Sequence, residues 1–234
     1  MLSIITAFGC RYDCPGCIHF YKTMECYPTS FWTKAQWRVG LSVAMGAIRG
    51  SRFSISGGGD PMNMFDDNEN FWWMIESVAK DRGMTYDVHT SYEEIFQRAI
   101  DKKKSTHTFV YPSENKEISF VTHHFERLNK VVFHLRHQFA PLPETKGIPT
   151  RFAYVITNKT TIDGLRRLEE EIPRYCQLAY RELMPCGDAE PASAEVDAFA
   201  RGVEDRRAGA RYVEQADYNV YLWPDGTLRE KFLG

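Results

Sequence analysis

The sequence predicts an α/β fold assembled from parallel βαβ units. Two observations carry that expectation. Short strand-like runs alternate with longer stretches at helical period, which is the pattern of strands joined by crossover helices. The unusual segments (a cysteine cluster, a glycine run, a His-Thr-Ser triplet) all follow strands, where parallel sheets collect their chemistry.

The elements read in order as follows. Leu2–Phe8 is an apolar first strand. Thr33-Lys34-Ala35-Gln36 has the form of a capping box, followed by Trp37, Leu41, Ala44, Met45 and Ile48 at helical spacing and closed by Gly50. Arg52–Ser56 alternates as a strand and runs into Gly57-Gly58-Gly59-Asp60-Pro61. Asp67 caps a second helix with Phe71, Met74, Ile75 and Val78 on one face, and Gly83 closes it. Thr85–Thr90 is the third strand, and Ser91 caps a helix over Tyr92–Asp101. A short strand at Thr108–Tyr111 and a helix at Glu117–Leu128 are expected next, then a strand at Val131–His137. Gln138–Pro149 holds three prolines, Pro141, Pro143 and Pro149, and reads as irregular. A strand at Arg151–Thr157, a helix at Ile162–Ile172 and a last core strand at Leu178–Met184 complete residues 1–186. Residues 187–234 change character: one solvated helix within Gly187–Gly209, then a hairpin turning at Pro224-Asp225-Gly226. They read as a C-terminal extension packing on the core.

Composition narrows the function classes. At 234 residues, 43% apolar and 14% aromatic, the chain can bury a real core. A formal charge of −2 offers no broad basic field for nucleic acid. No apolar run is long enough to span a membrane, and Met1–Phe8 lacks the basic flank and length of a signal peptide. The six cysteines are unevenly spread, with Cys26, Cys176 and Cys186 scattered and three clustered. That is not a secreted disulfide framework, so a reducing, cytoplasmic setting and free thiols are expected.

The cluster, Cys10-x3-Cys14-x2-Cys17, lies directly behind the first strand. Three thiolates on one tight loop hold three corners of a [4Fe–4S] cluster and leave one iron open to a ligand. The competing reading is zinc with His19 as fourth ligand; zinc knuckles take ligands from two separate hairpins, and no second pair follows here. The glycine run taken alone is a turn. No Gly-Lys-Ser/Thr follows it, which excludes a Walker phosphate loop. On the rim that carries the cysteines, its glycines allow close backbone approach to a ligand, and Asp60 can accept from an ammonium group.

Cys-x3-Cys-x2-Cys after the first strand and Gly58-Gly59-Asp60-Pro61 after the second resemble the radical S-adenosylmethionine superfamily. The resemblance covers about residues 1–186 as a strand/helix pattern. It implies a partial (β/α)6 TIM-type barrel and a single [4Fe–4S] cluster on Cys10, Cys14 and Cys17. It implies S-adenosyl-L-methionine on the open iron, with its amine at Gly58, Gly59, Asp60 and Pro61. Asp in place of the usual Glu is similar to the anaerobic ribonucleotide reductase activases, whose cluster loop also often reads Cys-Pro-Gly-Cys. Many relatives rest the adenine on an aromatic residue just before the third Cys; here that residue is Gly16, leaving Tyr12 or Ile18 for the task. The implied chemistry is reductive cleavage to a 5′-deoxyadenosyl radical, fed by a donor such as flavodoxin or ferredoxin, and removal of a hydrogen atom from the substrate.

Further candidates follow. His134 and Arg136 share a strand face, with His137 at its end; they fit cofactor contacts or a pair bonded to each other equally well. Thr90 and Ser91 lie on the rim, though helix capping alone accounts for Ser91. Asn158 follows a strand and fits either a cofactor contact or a turn. Arg181 is a charge on a core strand that needs a partner, such as a substrate carboxylate or phosphate. His123 and His124 read as helix-surface residues, and the tryptophans as packing residues. The substrate classes in play are a small molecule or nucleotide, a glycyl-radical enzyme awaiting activation, and a peptide; a regulatory iron–sulfur protein is the non-enzymatic alternative.

Overall fold

In the computed structural model the described residues are 1–6, 8–12, 14, 34–47, 50–63, 65, 69–102, 104–111, 116–123, 125–139, 141–145, 147–184, 189–214, 220–223 and 226–230. Gly16, Cys17, Ile18, His19, Cys26, Thr33, Ile48, Asp67, His124, Cys186, Pro224 and Asp225, all singled out above, lie outside them.

The strands are β1 (Leu2–Ile4), β2 (Arg52–Ile55), β3 (Thr85–Thr90), β4 (Lys104–Tyr111), β5 (Lys116–His123), β6 (Leu128–Leu135), β7 (Thr150–Val155), β8 (Gln177–Arg181), β9 (Ala210–Val213), β10 (Val220–Leu222) and β11 (Leu228–Arg229). The helices are α1 (Lys34–Ala47), α2 (Glu69–Asp81), α3 (Glu93–Lys102), α4 (Ile162–Glu171), α5 (Ala194–Arg201) and α6 (Val203–Arg206). Nine strands form one sheet in the order β11-β10-β1-β2-β3-β6-β7-β8-β9. Every pairing in it is parallel except that of β10 with β11.

Alternation along the strands explains how the sheet is covered. On β2 Phe53 and Ile55 are buried in the helix-side core, while Ser54 lies on the opposite face. On β3 Tyr86 and Val88 join that core and Asp87 and His89 face away. On β7 and β8 Phe152, Tyr154, Leu178 and Tyr180 pack outward, leaving Ala153, Ala179 and Arg181 on the other side. A parallel sheet buried in apolar contacts on both faces would show continuous apolar runs instead. Residues of β1, β2, β3, β6, β7, β8, β9 and β10 line one common cavity, so the sheet curls around it.

The helices follow their expected faces. Leu41, Ala44 and Met45 of α1 are buried, and Val39 and Val43 are exposed. After α2, Gly83 takes a left-handed φ of +63°, and the Met84 N–H returns to the Ala79 carbonyl at 2.8 Å.

Three local expectations are corrected. Lys116–His123 is a strand, paired antiparallel with β4 in a separate two-stranded sheet, rather than the start of a helix. Its run Ile118-Ser119-Phe120-Val121-Thr122 is rich in β-branched and aromatic residues that favour strands. His123 therefore ends a strand and does not sit on a helix. The 187–209 stretch forms α5 and α6, and it is only partly solvated. Ala200 and Val203 are fully buried, and Arg207 is 1% exposed. The Arg207 guanidinium donates to the carbonyls of Glu169 (2.7 Å), Pro173 (3.0 Å) and Cys176 (3.3 Å) around the end of α4, where a cation is favoured. Ala210–Val213, with no expected strand assigned to it, extends the sheet as β9.

The hairpin at the end of the chain forms as expected. Gly226 has φ +80°, and the Trp223 N–H donates to Thr227 O at 2.9 Å. Its first strand, β10, pairs in parallel with β1. No described helix is long and apolar enough to cross a membrane.

Candidate functional site

Three strand ends meet at the carboxyl rim and are joined by hydrogen bonds. The loop after β1 packs directly on the loop after β2. Gly9 bridges Gly59, the Asp60 N–H donates to Gly9 O at 2.8 Å, and Thr6 donates to Gly57 O through both its N–H and its hydroxyl. This contact explains the glycine run. Gly57, Gly58 and Gly59 all take positive φ, at +86°, +66° and +103°. A Cβ on Gly58 would lie 1.5 Å from Thr6 O, and one on Gly59 would lie 2.2 Å from Gly9 O. At these two positions the close approach is made by the chain's own backbone, the cysteine loop docking on the glycine loop.

Asp60 ties in the third rim segment. Its Oδ1 accepts from the Met62 N–H (2.9 Å) and the Thr90 hydroxyl (2.6 Å), and its Oδ2 from the Ser91 N–H (2.6 Å). The group is 5% exposed, and burial raises its pKa against the lowering pull of those donors. A carboxylate offers about four acceptor positions, so one remains for a further donor. Pro61 sits buried in the turn that follows.

Ser91 does not cap α3. Its hydroxyl donates to His134 O at 3.0 Å, and the first helical bond runs from Phe96 N to Tyr92 O. Thr90 instead accepts from the Tyr92 N–H at 2.9 Å. The two residues tie β3 to the Asp60 loop and to β6.

Neither Cys10 nor Cys14 forms a disulfide among the described residues; Cys10 is exposed and Cys14 half-buried. The Cys10 sulfur receives the Tyr12 N–H at 3.4 Å and the Tyr92 hydroxyl at 3.5 Å. Tyr92 also accepts from the Arg11 N–H, and burial drives its pKa upward. Tyr12 stands edge-on to Tyr92 at 4.9 Å and carries the Arg136 guanidinium over its ring at 3.6 Å. Two soft thiols on a hydrogen-bonded loop fit iron–sulfur ligation, in which bonds to sulfur tune the metal. Among the described residues no group of three His, Cys, Asp or Glu side chains converges as a metal site, and Cys17 lies outside them.

Below the rim lies the cavity, about 1230 Å³ in volume. His134 faces it and pairs with His89, Nε2 to Nδ1 at 3.0 Å. Of the two readings open for His134 and Arg136, the pair bonded to each other does not form: His134 bonds to His89 and Arg136 stacks on Tyr12. Desolvation, then the Arg181 charge, lowers the His134 pKa to about 3. Desolvation, the partner imidazole and then Arg181 push His89 well below its usual value. Both rings are neutral at neutral pH, one donating and the other accepting. The sequence placed His89 in the rim's His-Thr-Ser triplet but assigned it no role. Its position two residues below the Asp60-bound Ser91, on the cavity face of β3, was the available signal.

The remaining candidates differ in placement. Arg181 faces the cavity, half-buried, and desolvation lowers its pKa. His137 is exposed at the cavity mouth, where its Nδ1 accepts from the Phe139 N–H at 3.0 Å. Asn158 also lines the mouth but is engaged by Glu190: its side chain donates to Oε2 and its N–H to the carbonyl, both at 2.9 Å. These two bonds tether the loop after β7 to the segment before α5, and Asn158 sits inside the turn that the Thr160 N–H closes on Thr157 O at 2.9 Å. Cys176 is buried, and desolvation raises its pKa.

No protein-family model matches the chain, and no curated protein matches it.

Proposed function

We propose that this chain is a radical S-adenosylmethionine enzyme acting on a small-molecule or nucleotide-type substrate. The carrying observation is the hydrogen-bonded junction of three strand ends: the cysteine loop on Gly57–Gly59, and Asp60 on Thr90 and Ser91. The curl of the parallel sheet around one cavity supports a partial barrel of TIM type.

Cys10, Cys14 and Cys17 would hold a [4Fe–4S] cluster, which with bound S-adenosyl-L-methionine supplies one-electron reductive cleavage and a carbon radical able to take a hydrogen atom. The chain's own residues orient and enclose. Asp60, with one acceptor position left, is placed to take a proton-bearing amine. Tyr12, backed by Arg136, offers an aromatic face beside Cys10. The Tyr92 hydroxyl and Tyr12 N–H stabilise negative charge on the Cys10 sulfur. The exposed position of Cys10 supports electron delivery from a soluble protein such as flavodoxin or ferredoxin.

Anaerobic reconstitution with iron and sulfide tests the proposal. The expected results are charge-transfer absorbance that falls in Cys10→Ala and Cys14→Ala, and release of 5′-deoxyadenosine on reduction with S-adenosylmethionine. Bound zinc, or a cluster that yields no 5′-deoxyadenosine with any candidate substrate, refutes it.

A further inference from the structure

The cavity wall opposite the cysteine loop carries more positive charge than its neighbours balance. Arg151 of β7, Arg181 of β8 and Arg211 of β9 all line it. Strand register explains their grouping. Ala153 pairs with Ala179, and Ala179 with Arg211. Arg151 is two residues before Ala153 and Arg181 two residues after Ala179, so each shares its alanine's face. Two alanines thus sit side by side, with guanidinium groups below, above and to one side. Among the described residues neither Arg181 nor Arg211 makes an ion pair or a hydrogen bond through its side chain. Among the described residues Arg151 donates only to the neutral Gln177 Oε1, at 3.0 and 2.6 Å.

Two more cations, Arg52 and Lys130, stand close enough to repel Arg151 or to be repelled by it. Among the described residues, the carboxylate whose charge reaches Arg151 and Lys130 is Asp87. It is already bonded to the Asn129 amide at 2.6 Å and lies 3.9 Å from Arg52. Desolvation first, then Arg211, lowers the Arg151 pKa to about 10. Desolvation lowers those of Lys130 and Arg181 as well. Arg151, Arg181 and Lys130 are half-buried, while Arg211 and Arg52 stand exposed at the edge of the group. Holding partly desolvated cations beside further like charges is unfavourable unless a counter-ion joins them. On the far side, Tyr221 of β10 faces Arg181.

We propose that the substrate carries a phosphate or diphosphate group, and that this group seats over Ala153 and Ala179 between Arg151, Arg181 and Arg211. The claim rests on the cavity being the substrate site of the enzyme proposed above, and it narrows the substrate class. Three guanidinium forks suit an oxyanion with several oxygens and more than one charge. A glycine loop of a protein awaiting activation brings no such group. The alanines are the spacers: any larger side chain there occupies the anion's volume.

Calorimetric titration of the full chain with pyrophosphate at low salt, near neutral pH, tests this without requiring turnover. Saturable binding is expected. It should weaken about 10- to 100-fold in Arg181→Gln and again in Arg151→Gln, as charge-assisted bonds are lost. Ala179→Leu should abolish it with every cation retained, and the arginine variants decide the matter if Ala179→Leu does not fold. Absent binding, equal affinity in the arginine variants, or succinate binding as tightly as pyrophosphate overturns the proposal. Cluster absorbance read on the same samples separates the two claims. Pyrophosphate held by the arginines supports the anion site even in a chain that assembles no cluster. A cluster-bearing chain that ignores pyrophosphate overturns the anion site and leaves the radical chemistry standing.

Discussion

Acid should destabilise this protein through two histidines in particular. His89 and His134 are neutral in the fold because they are desolvated and face Arg181. In the unfolded chain each titrates near about 6.5. Their folded values are lower, so the stability they contribute is present above that unfolded value. It is lost as pH falls from there, down to about 3 for His134. At about pH 5.5, one unit below the unfolded value, keeping one imidazole neutral costs about 1.4 kcal/mol. The pair therefore costs about 3 kcal/mol relative to about pH 7.5. With a urea m-value of about 3 kcal/mol/M, the unfolding midpoint should drop by about 1 M over that interval. The assay is urea unfolding followed by tryptophan fluorescence at both pH values. The control is His89→Gln/His134→Gln, in which the drop should shrink to a small residue from other groups. If the double variant loses as much as the parent, the two imidazoles are not held neutral and the reasoning fails.

Other perturbations have defined outcomes. Gly58→Ala places a methyl group on Thr6 O and should cost at least about 3 kcal/mol or prevent folding, read as a fall in Tm. Asp60→Ala strands the donors of Met62, Thr90 and Ser91 in a buried site; a loss of about 2–4 kcal/mol is expected on thermal unfolding, and an unchanged Tm would contradict the junction described. Arg207→Met should cost about 2–4 kcal/mol by freeing three carbonyls at the end of α4, measured by chemical denaturation. Tyr92→Phe removes a donor from the Cys10 sulfur, so the midpoint potential of a reconstituted cluster should fall in redox titration.

Part of the sheet was legible because some strands alternate plainly. Arg52-Phe53-Ser54-Ile55 and Thr85–Thr90 place apolar residues toward the helices and polar ones toward the cavity. The same clarity let the cysteine and glycine segments be placed on one rim before any contact was known. What the sequence could not supply was the partner of each polar group. Arg136 and His134 read as one strand face, yet their contacts come from Tyr12 on the loop after β1 and His89 on β3. Ser91 had a sufficient local explanation as a cap, and tertiary bonds to Asp60 and His134 displaced it. The helix expected at Glu117–Leu128 failed because a short apolar run satisfies either period until a neighbouring strand is available to pair with it. Ala210-Arg211-Tyr212-Val213 is short and charged, and it becomes a strand because the open edge of β8 receives it. Arg207 hid in a charged stretch whose burial only the packing of α4 reveals.

The division of labour between the two faces of the sheet has an evolutionary consequence. Phe53, Tyr86, Phe152 and Tyr180 hold the fold together from one side, while the groups that would meet a ligand project from the other. Adaptation to a new metabolite can therefore proceed by exchanging alternate residues without repacking the interior. Descendants of this scaffold would be expected to diverge fastest at every second strand position.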